Sequence, residues 1–262
     1  MTSPILVTGG TGTLGRLVVP LLGNAGRSVR VLSRHNHESE DDGVEYVTCD
    51  LLGDAGIEAA VDGVETVLHL AGGPKGDDEA TRNLARAASR AGVRHLVYIS
   101  VIGTGRVPLG WFNSKLGAEQ AVADSGVPWT TLRAAQFHEL VLTAVEKMAK
   151  LPVVPVPGGL RFQPVDSREV AARLVELTLA RPAGLVPDLA GPKVYGMADL
   201  AHGYLQARGK RRLMMPVRMP GKAGRAYRAG DNLTLEGAAV GKRTWEDFLA
   251  ERVSRQVGRR AS

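Results

Sequence analysis

Residues 5–22 read ILVTGGTGTLGRLVVPLL. Ile5 to Thr8 have the length and β-branched content of a buried strand, and they run without a spacer into Gly9, Gly10, Thr11, Gly12, Thr13, Leu14 and Gly15. An apolar stretch with helical spacing follows directly. In a dinucleotide site each glycine of such a loop has a mechanical job: one makes the tight turn, one lets backbone approach a pyrophosphate, and one lets helix and strand pack closely. The anion then rests on unpaired N–H groups at the helix N-terminus, favoured by the helix dipole. A purely structural turn could use the same residues. The position, after the first strand and at the head of a strand–helix series, points to a dinucleotide.

Working outward, strand-like runs recur at PILVT (4–8), VRVL (29–32), VEYVTC (44–49), TVLHL (66–70), RHLVYIS (94–100) and WTTLR (129–133). Between them lie helical segments, several ending in a glycine suited to a left-handed cap: Gly26, Gly63, Gly92 and Gly126. In the third segment Leu84, Ala87, Ala88 and Ala91 form the stripe of a helix with one buried face. Strands alternating with helices predict an α/β fold, a doubly wound, mostly parallel sheet of Rossmann type. We place a nucleotide-binding core at 1–135 and a smaller, interleaved substrate or cap region at 136–262. The second part holds helices at 137–150, 167–180, 197–207 and 244–253, a proline-rich extended stretch at 151–159, and one short strand, LVPDLA (185–190).

The spacing T-G-G-T-G-x-x-G at residues 8–15 resembles the short-chain dehydrogenase/reductase superfamily, in its atypical, NmrA-like branch. The likeness extends through DLLG (50–53), HLAGG (69–73), VYISVIG (97–103), LRAAQFHEL (132–140) and FQPVDSREVA (162–171). It implies that Asp50 and Leu51 lie at an adenine, and Ala71 and Gly72 beneath the adenosine ribose and pyrophosphate. Asp50 is also of the residue type that caps or turns. Where NAD sites carry an acid about 20 residues beyond the glycines, this chain has Ser33, Arg34 and His35, with no carboxylate before Glu38. Arg34 either pairs with a 2′-phosphate, with Arg16 as a second cation, or is a solvated strand end. The first reading predicts NADP(H).

In the stretch PLGWFNSKLGAEQAV (108–122), Trp111 and Phe112 stand just ahead of Lys115 in a chain with only 5% aromatic residues. Catalytic members of the superfamily carry Tyr-x-x-x-Lys here, the lysine holding the nicotinamide ribose and lowering the tyrosine pKa. This sequence has Trp111-x-x-x-Lys115. An indole N–H donates a hydrogen bond but cannot shuttle a proton near neutral pH. Lys115 is a candidate for cofactor contact and catalysis, or else a solvated helix-start lysine. Ser100 lies near the partner serine's place. After the sixth strand, Gln136 and His138 are candidates for the substrate pocket together with Trp111 and Phe112, and His138 for proton donation, or for packing of the next helix. His35, His37, His69, His95 and His202 form no spaced cluster with Cys or acids, so no metal site is read.

Composition narrows the partners. A single cysteine, Cys49, excludes an internal disulfide framework, and no apolar run approaches the roughly 18 residues of a membrane span. A cytoplasmic protein without membrane partner is expected. Net charge is +6, concentrated between Arg208 and Arg228, where eight cations occur without an acid. One aromatic, Tyr227, and no reading helix accompany them, which argues against nucleic acid. Three readings remain. One is an NADPH-dependent oxidoreductase of planar or conjugated acceptors: quinones, flavins, enones. Another is a specialised reductase or isomerase of a secondary metabolite. The third is a non-catalytic NADP(H) sensor of NmrA type. No heptad or apolar face specifies an oligomer.

Overall fold

All six strand-like runs of the first half form strands in the computed structural model, which describes residues 3–35, 43–73 and 75–261, with side chains to 253. His37 and Glu38 lie outside the described residues. The elements are β1 (Ile5–Thr8), α1 (Gly15–Asn24), β2 (Val29–Ser33), β3 (Val44–Thr48), α2 (Ile57–Val61), β4 (Thr66–His69), α3 (Asp77–Arg90), β5 (His95–Val101), α4 (Gly110–Ala123) and β6 (Trp129–Ala134). After them come α5 (His138–Met148), β7 (Val153–Pro157), β8 (Arg161–Phe162), α6 (Ser167–Leu179), β9 (Gly184–Leu185) and β10 (Leu189–Ala190). The chain continues through β11 (Tyr195–Gly196), α7 (Met197–Ala207), β12 (Leu213–Val217), α8 (Gly221–Ala229), β13 (Ala239–Val240) and α9 (Trp245–Ala261). Two compact units divide it: Met1–Thr104, Gly110–Arg133 and Arg168–Pro187, then Gly105–Leu109, Ala134–Ser167 and Asp188–Ser262.

In the first unit the strands run β3-β2-β1-β4-β5-β6, with β9 on β6. Pairing is parallel from β3 through β5 and again at β6–β9. Such a sheet is covered on both faces, and β1 and β5 are buried along their whole length. Leu6, Val67, Leu96 and Tyr98 of the strands pack with Leu84, Ala88, Ala118 and Val122 of α3 and α4. Gly26, Gly63, Gly92 and Gly126 all have positive φ, between 68° and 75°, with open space where a Cβ would stand, so backbone conformation alone calls for glycine there.

The second unit has a core of its own, built from α5, β7, α7 and α9 around Val145, Val154, Leu200, Trp245 and Phe248. Within it β10 pairs in parallel with β13, and Leu189 stands beside Ala134. The stretch read as one strand at 185–190 is two short strands, since Pro187 between them offers no N–H to a ladder. A further difference concerns Trp111 and Phe112. Helix α4 begins at Gly110, so both aromatics sit in its first turn and Lys115 in its second. Trp111 and Lys115, four residues apart, share one helix face.

Candidate functional site

β1 lies between β2 and β4, so the loops leaving β1 and β4 part above its carboxyl end, where open α/β sheets form a crevice. A cavity of about 480 Å³ lies there. Gly9, Thr11, Gly12, Arg34, Asp50, Leu51, Ala71 and Gly72, all assigned to the cofactor on sequence, line it. Thr13, Leu14, Gly15 and Lys115 are not among its walls. Asp77 and Lys75 are, and sequence reasoning named neither.

The glycines divide the labour as the loop's mechanics require. Gly9 turns at φ +67°, and a Cβ there would lie 2.7 Å from the Ala71 nitrogen. A Cβ on Gly15 would stand 2.3 Å from the Cα and carbonyl oxygen of Gly10, so this residue lets the helix start pack on the loop. Gly12, by contrast, would meet only the Gly9 oxygen, at 3.2 Å, leaving its outer side open to a ligand. No side chain caps α1 and no acid sits in its first turn, so the positive end of its dipole is not offset there. The N–H groups of Arg16, Leu17 and Val18 already donate to the Gly12 and Leu14 carbonyls. Arg16 donates through Nε to the Thr11 carbonyl at 2.9 Å and braces the loop. Arg34, exposed at the end of β2, and Lys75 are the cations on the cavity wall. Asp50 accepts the Leu52 N–H at 3.1 Å, the turn-forming role its residue type allowed, and still borders the cavity. A gap beside Gly12, a helix N-terminus without a side-chain cap and two cations fit a dinucleotide.

Under the cavity runs a buried polar chain. Thr81 donates to the Asp77 carbonyl at 2.6 Å, so its oxygen accepts from His69 Nε2 at 2.9 Å. His69 Nδ1 then accepts from the Thr8 hydroxyl at 2.6 Å, and Thr8 Oγ1 in turn accepts the N–H groups of Leu70 and Ala71. Every donor and acceptor is matched by a neutral imidazole, and a second ring proton would find no acceptor. Burial lowers the His69 pKa to about 4. This network fixes the 69–72 loop against β1.

Beside it, Lys115 is buried and pairs with Asp77 at 2.9 Å. Its ammonium also donates to the Tyr98 hydroxyl at 3.1 Å and approaches the Ile99 carbonyl at 3.4 Å. Three donors meet three acceptors. Tyr98 donates to Asp77 at 3.2 Å, and burial, with the neighbouring carboxylate, pushes its phenol well above the ordinary tyrosine range. It is therefore a protonated structural donor. Lys115 is not a solvated helix-start lysine: its Nζ lies 3.2 Å from where a Gly72 Cβ would be, at the cavity's edge. Cys49, also on the wall, has its thiol raised to about 11 by burial and by Asp50 and Asp54, so it is unreactive at neutral pH.

The other candidates are placed differently. Phe112 is fully buried and meets Trp111 edge-on at 5.1 Å, while Trp111 stays partly exposed. Phe112 is thus an anchor under Trp111 rather than a surface for a ligand. Ser100 is buried against Thr104. In the second unit His138 has no exposed surface and packs its ring against Phe248 at 5.1 Å and Trp245 at 5.9 Å. This is the setting of a packed core histidine. Gln136 is buried too, and neither end of its carboxamide has a hydrogen-bond partner among the described residues. Also among the described residues, no group of His, Cys, Asp and Glu is arranged to hold a metal ion, and no helix is long and apolar enough to cross a membrane.

Sequence reasoning missed Asp77, Tyr98 and His69. Asp77 opens an acidic first turn, Asp-Asp-Glu, which reads as dipole compensation on a surface helix. Tyr98 sits in an apolar strand where an aromatic reads as core. A histidine ending a buried strand between leucines, as His69 does, was the one available signal.

Comparison with known proteins agrees with this geometry. Residues 9–178 match the family described as NAD(P)H-binding, and the chain belongs to that family. It is 35% identical over 195 residues to a Streptomyces griseus (4-alkanoyl-5-oxo-2,5-dihydrofuran-3-yl)methyl phosphate reductase, covering 72% of this chain and 68% of that one. To the NAD(P)H azoreductase of Xenophilus azovorans it is 28% identical over 215 residues, 79% of this chain and 74% of that one. Quinone oxidoreductase 2 of Escherichia coli is 25% identical over 214 residues, 79% and 75% of the two chains. The crystal structure of that enzyme with NADPH shares the fold at a TM-score of 0.80, with 22% identity over 97% of this chain and 99% of that one. The α/β nucleotide-binding architecture read from the glycine loop is borne out, and NAD(P)H is the cofactor.

Proposed function

We propose that this member of the NAD(P)H-binding family is an NADPH-dependent reductase of planar, conjugated acceptors that works without the phenol of its dehydrogenase relatives. The observation that carries this reading is the pairing of a preformed dinucleotide cavity with Trp111 one helical turn before a buried Lys115. Arg34 on the cavity wall, with no carboxylate at Ser33 or His35, supports a 2′-phosphate and hence NADPH over NADH. When bound, the nicotinamide supplies a hydride. The chain's own part is to hold and orient: the glycine loop and the α1 N-terminus take the pyrophosphate, Asp50 and Leu51 border the adenosine end, and Ala71 and Gly72 lie beneath it. Lys115, fixed by Asp77 and Tyr98, keeps a positive charge at the cavity's edge.

Acceptors whose reduced forms delocalise charge need no side chain to deliver a proton in the hydride step, because water can do so afterwards. Quinones, flavins, enones and conjugated secondary metabolites share that property. The acceptors in the names of its relatives, a quinone, an azo compound and an acylated oxo-dihydrofuran, are of the same kind. Trp111, partly exposed and propped by Phe112, offers a flat face for such a molecule. Gln136, whose carboxamide is buried without a partner among the described residues, stays the sequence-based candidate for a polar contact to an acceptor.

A second reading, an NADP(H) sensor without turnover, draws on one observation: all three Lys115 donors are engaged within the protein. Steady-state NADPH consumption with quinones, flavins, azo dyes, enones and aldehydes, beside the same panel with NADH, separates the two. Turnover of delocalised acceptors with NADPH supports the reductase. Tight NADPH and NADP⁺ binding without turnover of any acceptor overturns it in favour of the sensor.

A further inference from the structure

The segment 208–218 is exposed at every residue, yet it contains a strand. Strands in folded proteins bury at least one face, because successive side chains alternate between faces. β12 buries neither. Its hydrogen bonds run to β7 in a parallel pair, Leu213 with Val153 through Val217 with Pro157, and among the described residues no strand continues the sheet beyond it. On one face stand Leu213, Met215 and Val217, at 76%, 53% and 39% exposure, and on the other Met214 and Pro216. Leu151 and Val153 extend the apolar area beside it. Contiguous apolar exposure of this kind marks an interaction surface.

The flanks identify what covers it. Lys210, Arg211 and Arg212 precede the strand, and Arg218, Lys222 and Arg225 follow it, all exposed and, among the described residues, with no carboxylate paired to them. Arg208 is engaged by Glu146 and Arg228 by the Met219 carbonyl, so these two belong to the scaffold. An apolar tip ringed by unpaired cations complements a surface that is apolar beneath and negative above. We propose that β12 and its basic flanks are a peripheral docking surface for an anionic lipid bilayer, with Leu213, Met215 and Val217 entering the headgroup–acyl boundary and the cations contacting lipid phosphates.

Two other occupants fit less well. A second copy paired edge to edge through β12 would set Arg211, Arg212 and Arg218 against their own equivalents. A partner's strand added at the edge would satisfy backbone groups but leave both apolar faces in water, and Pro216 lacks the N–H such a ladder uses. A bilayer boundary covers side chains irrespective of the edge, while water and headgroups remain available to the free backbone groups. The sequence-based expectation of no membrane partner rested on the absence of a spanning segment, which peripheral docking does not need. The inference is independent of the redox reading.

Flotation of the whole chain with vesicles of phosphatidylcholine containing phosphatidylglycerol, beside vesicles of phosphatidylcholine alone, tests it. The protein is expected to float with the anionic vesicles only and to detach as salt is raised. In a combined Arg211→Gln, Arg212→Gln and Arg218→Gln variant partition falls about a hundredfold. Met215→Glu lowers it about tenfold. Both variants keep the wild-type Tm and NADPH affinity, since each replaced side chain is exposed and outside the cofactor cavity. Absence of flotation on anionic vesicles overturns the proposal, as does equal flotation of wild type and variants. A dimer abolished by Met215→Glu, or nucleic-acid binding, in a protein that ignores vesicles would overturn it as well.

Discussion

The floor of the cofactor cavity and the neighbourhood of Gln136 are both buried and both polar, yet they are built on opposite terms. Beneath the cavity, Thr8, His69, Thr81, Asp77, Tyr98 and Lys115 form a set in which each described donor has an acceptor. In the second unit the Gln136 carboxamide, Gln163 Oε1 and Asn232 Oδ1 are buried without hydrogen-bond partners among the described residues. An unmatched buried polar group costs about 1–3 kcal/mol. A protein that carries several such groups around Gln136 while matching every donor along the cavity floor has rigidified that floor and left polar capacity open elsewhere. The closed network suits a cofactor held the same way in each turnover. The open groups suit a molecule that comes and goes.

That contrast can be broken at its strongest point first. Gly15→Ala puts a Cβ 2.3 Å from backbone atoms of Gly9 and Gly10, which cannot yield as a side chain could. A loss of about 5 kcal/mol, or failure to fold, is expected in urea denaturation. Gly12→Ala, whose Cβ would meet only the Gly9 oxygen at 3.2 Å, should cost far less stability than Gly15→Ala and lose NADPH affinity instead. Next in size is Asp77→Asn, which removes the countercharge of a buried ammonium and should cost about 4 kcal/mol. Combining it with Lys115→Met should recover a large part of that loss. If the single variant is as stable as wild type, Asp77 does not hold Lys115 as described.

How much of this could be read from the residues alone depends on whether the signal is local. The glycine loop, six strands and Lys115 were legible because a phosphate-binding turn, a β-branched run and a motif lysine are written within a few consecutive positions. Asp77, Tyr98 and His69 were not, since their meaning lies in contacts between α3, β5 and β4 that no spacing encodes. β12 escaped notice for a different reason: LMMPV lies within a basic stretch whose charge dominated its reading. His138 was assigned chemistry by residue type, and the contacts that its place in the fold gives it, with Trp245 and Phe248, lie far along the chain from it.

Acid offers a gentler probe. His69 titrates near 4 when folded and near 6.5 when unfolded, so between those values the unfolded chain binds more protons. Stability is therefore full above pH 6.5 and falls as pH drops towards 4, by on the order of 3 kcal/mol. Denaturation midpoints against pH should lose that slope in His69→Gln. Smallest of all is Gln136→Leu. Removing an unmatched carboxamide should change stability by less than about 1 kcal/mol, or raise it, while KM for the acceptor rises and NADPH affinity stays. A large destabilisation without a change in KM would place Gln136 with the structural groups and erase the contrast.

The most direct measurement compares kcat/KM of wild type and Trp111→Tyr with NADPH, on a quinone and on a simple aldehyde. The account predicts that wild type reduces the quinone and not the aldehyde, and that the new phenol, one helical turn before Lys115, adds aldehyde turnover while leaving the quinone rate within a few-fold. Wild-type reduction of the aldehyde at a rate comparable to the quinone would contradict it, because a proton donor other than residue 111 would then be at work.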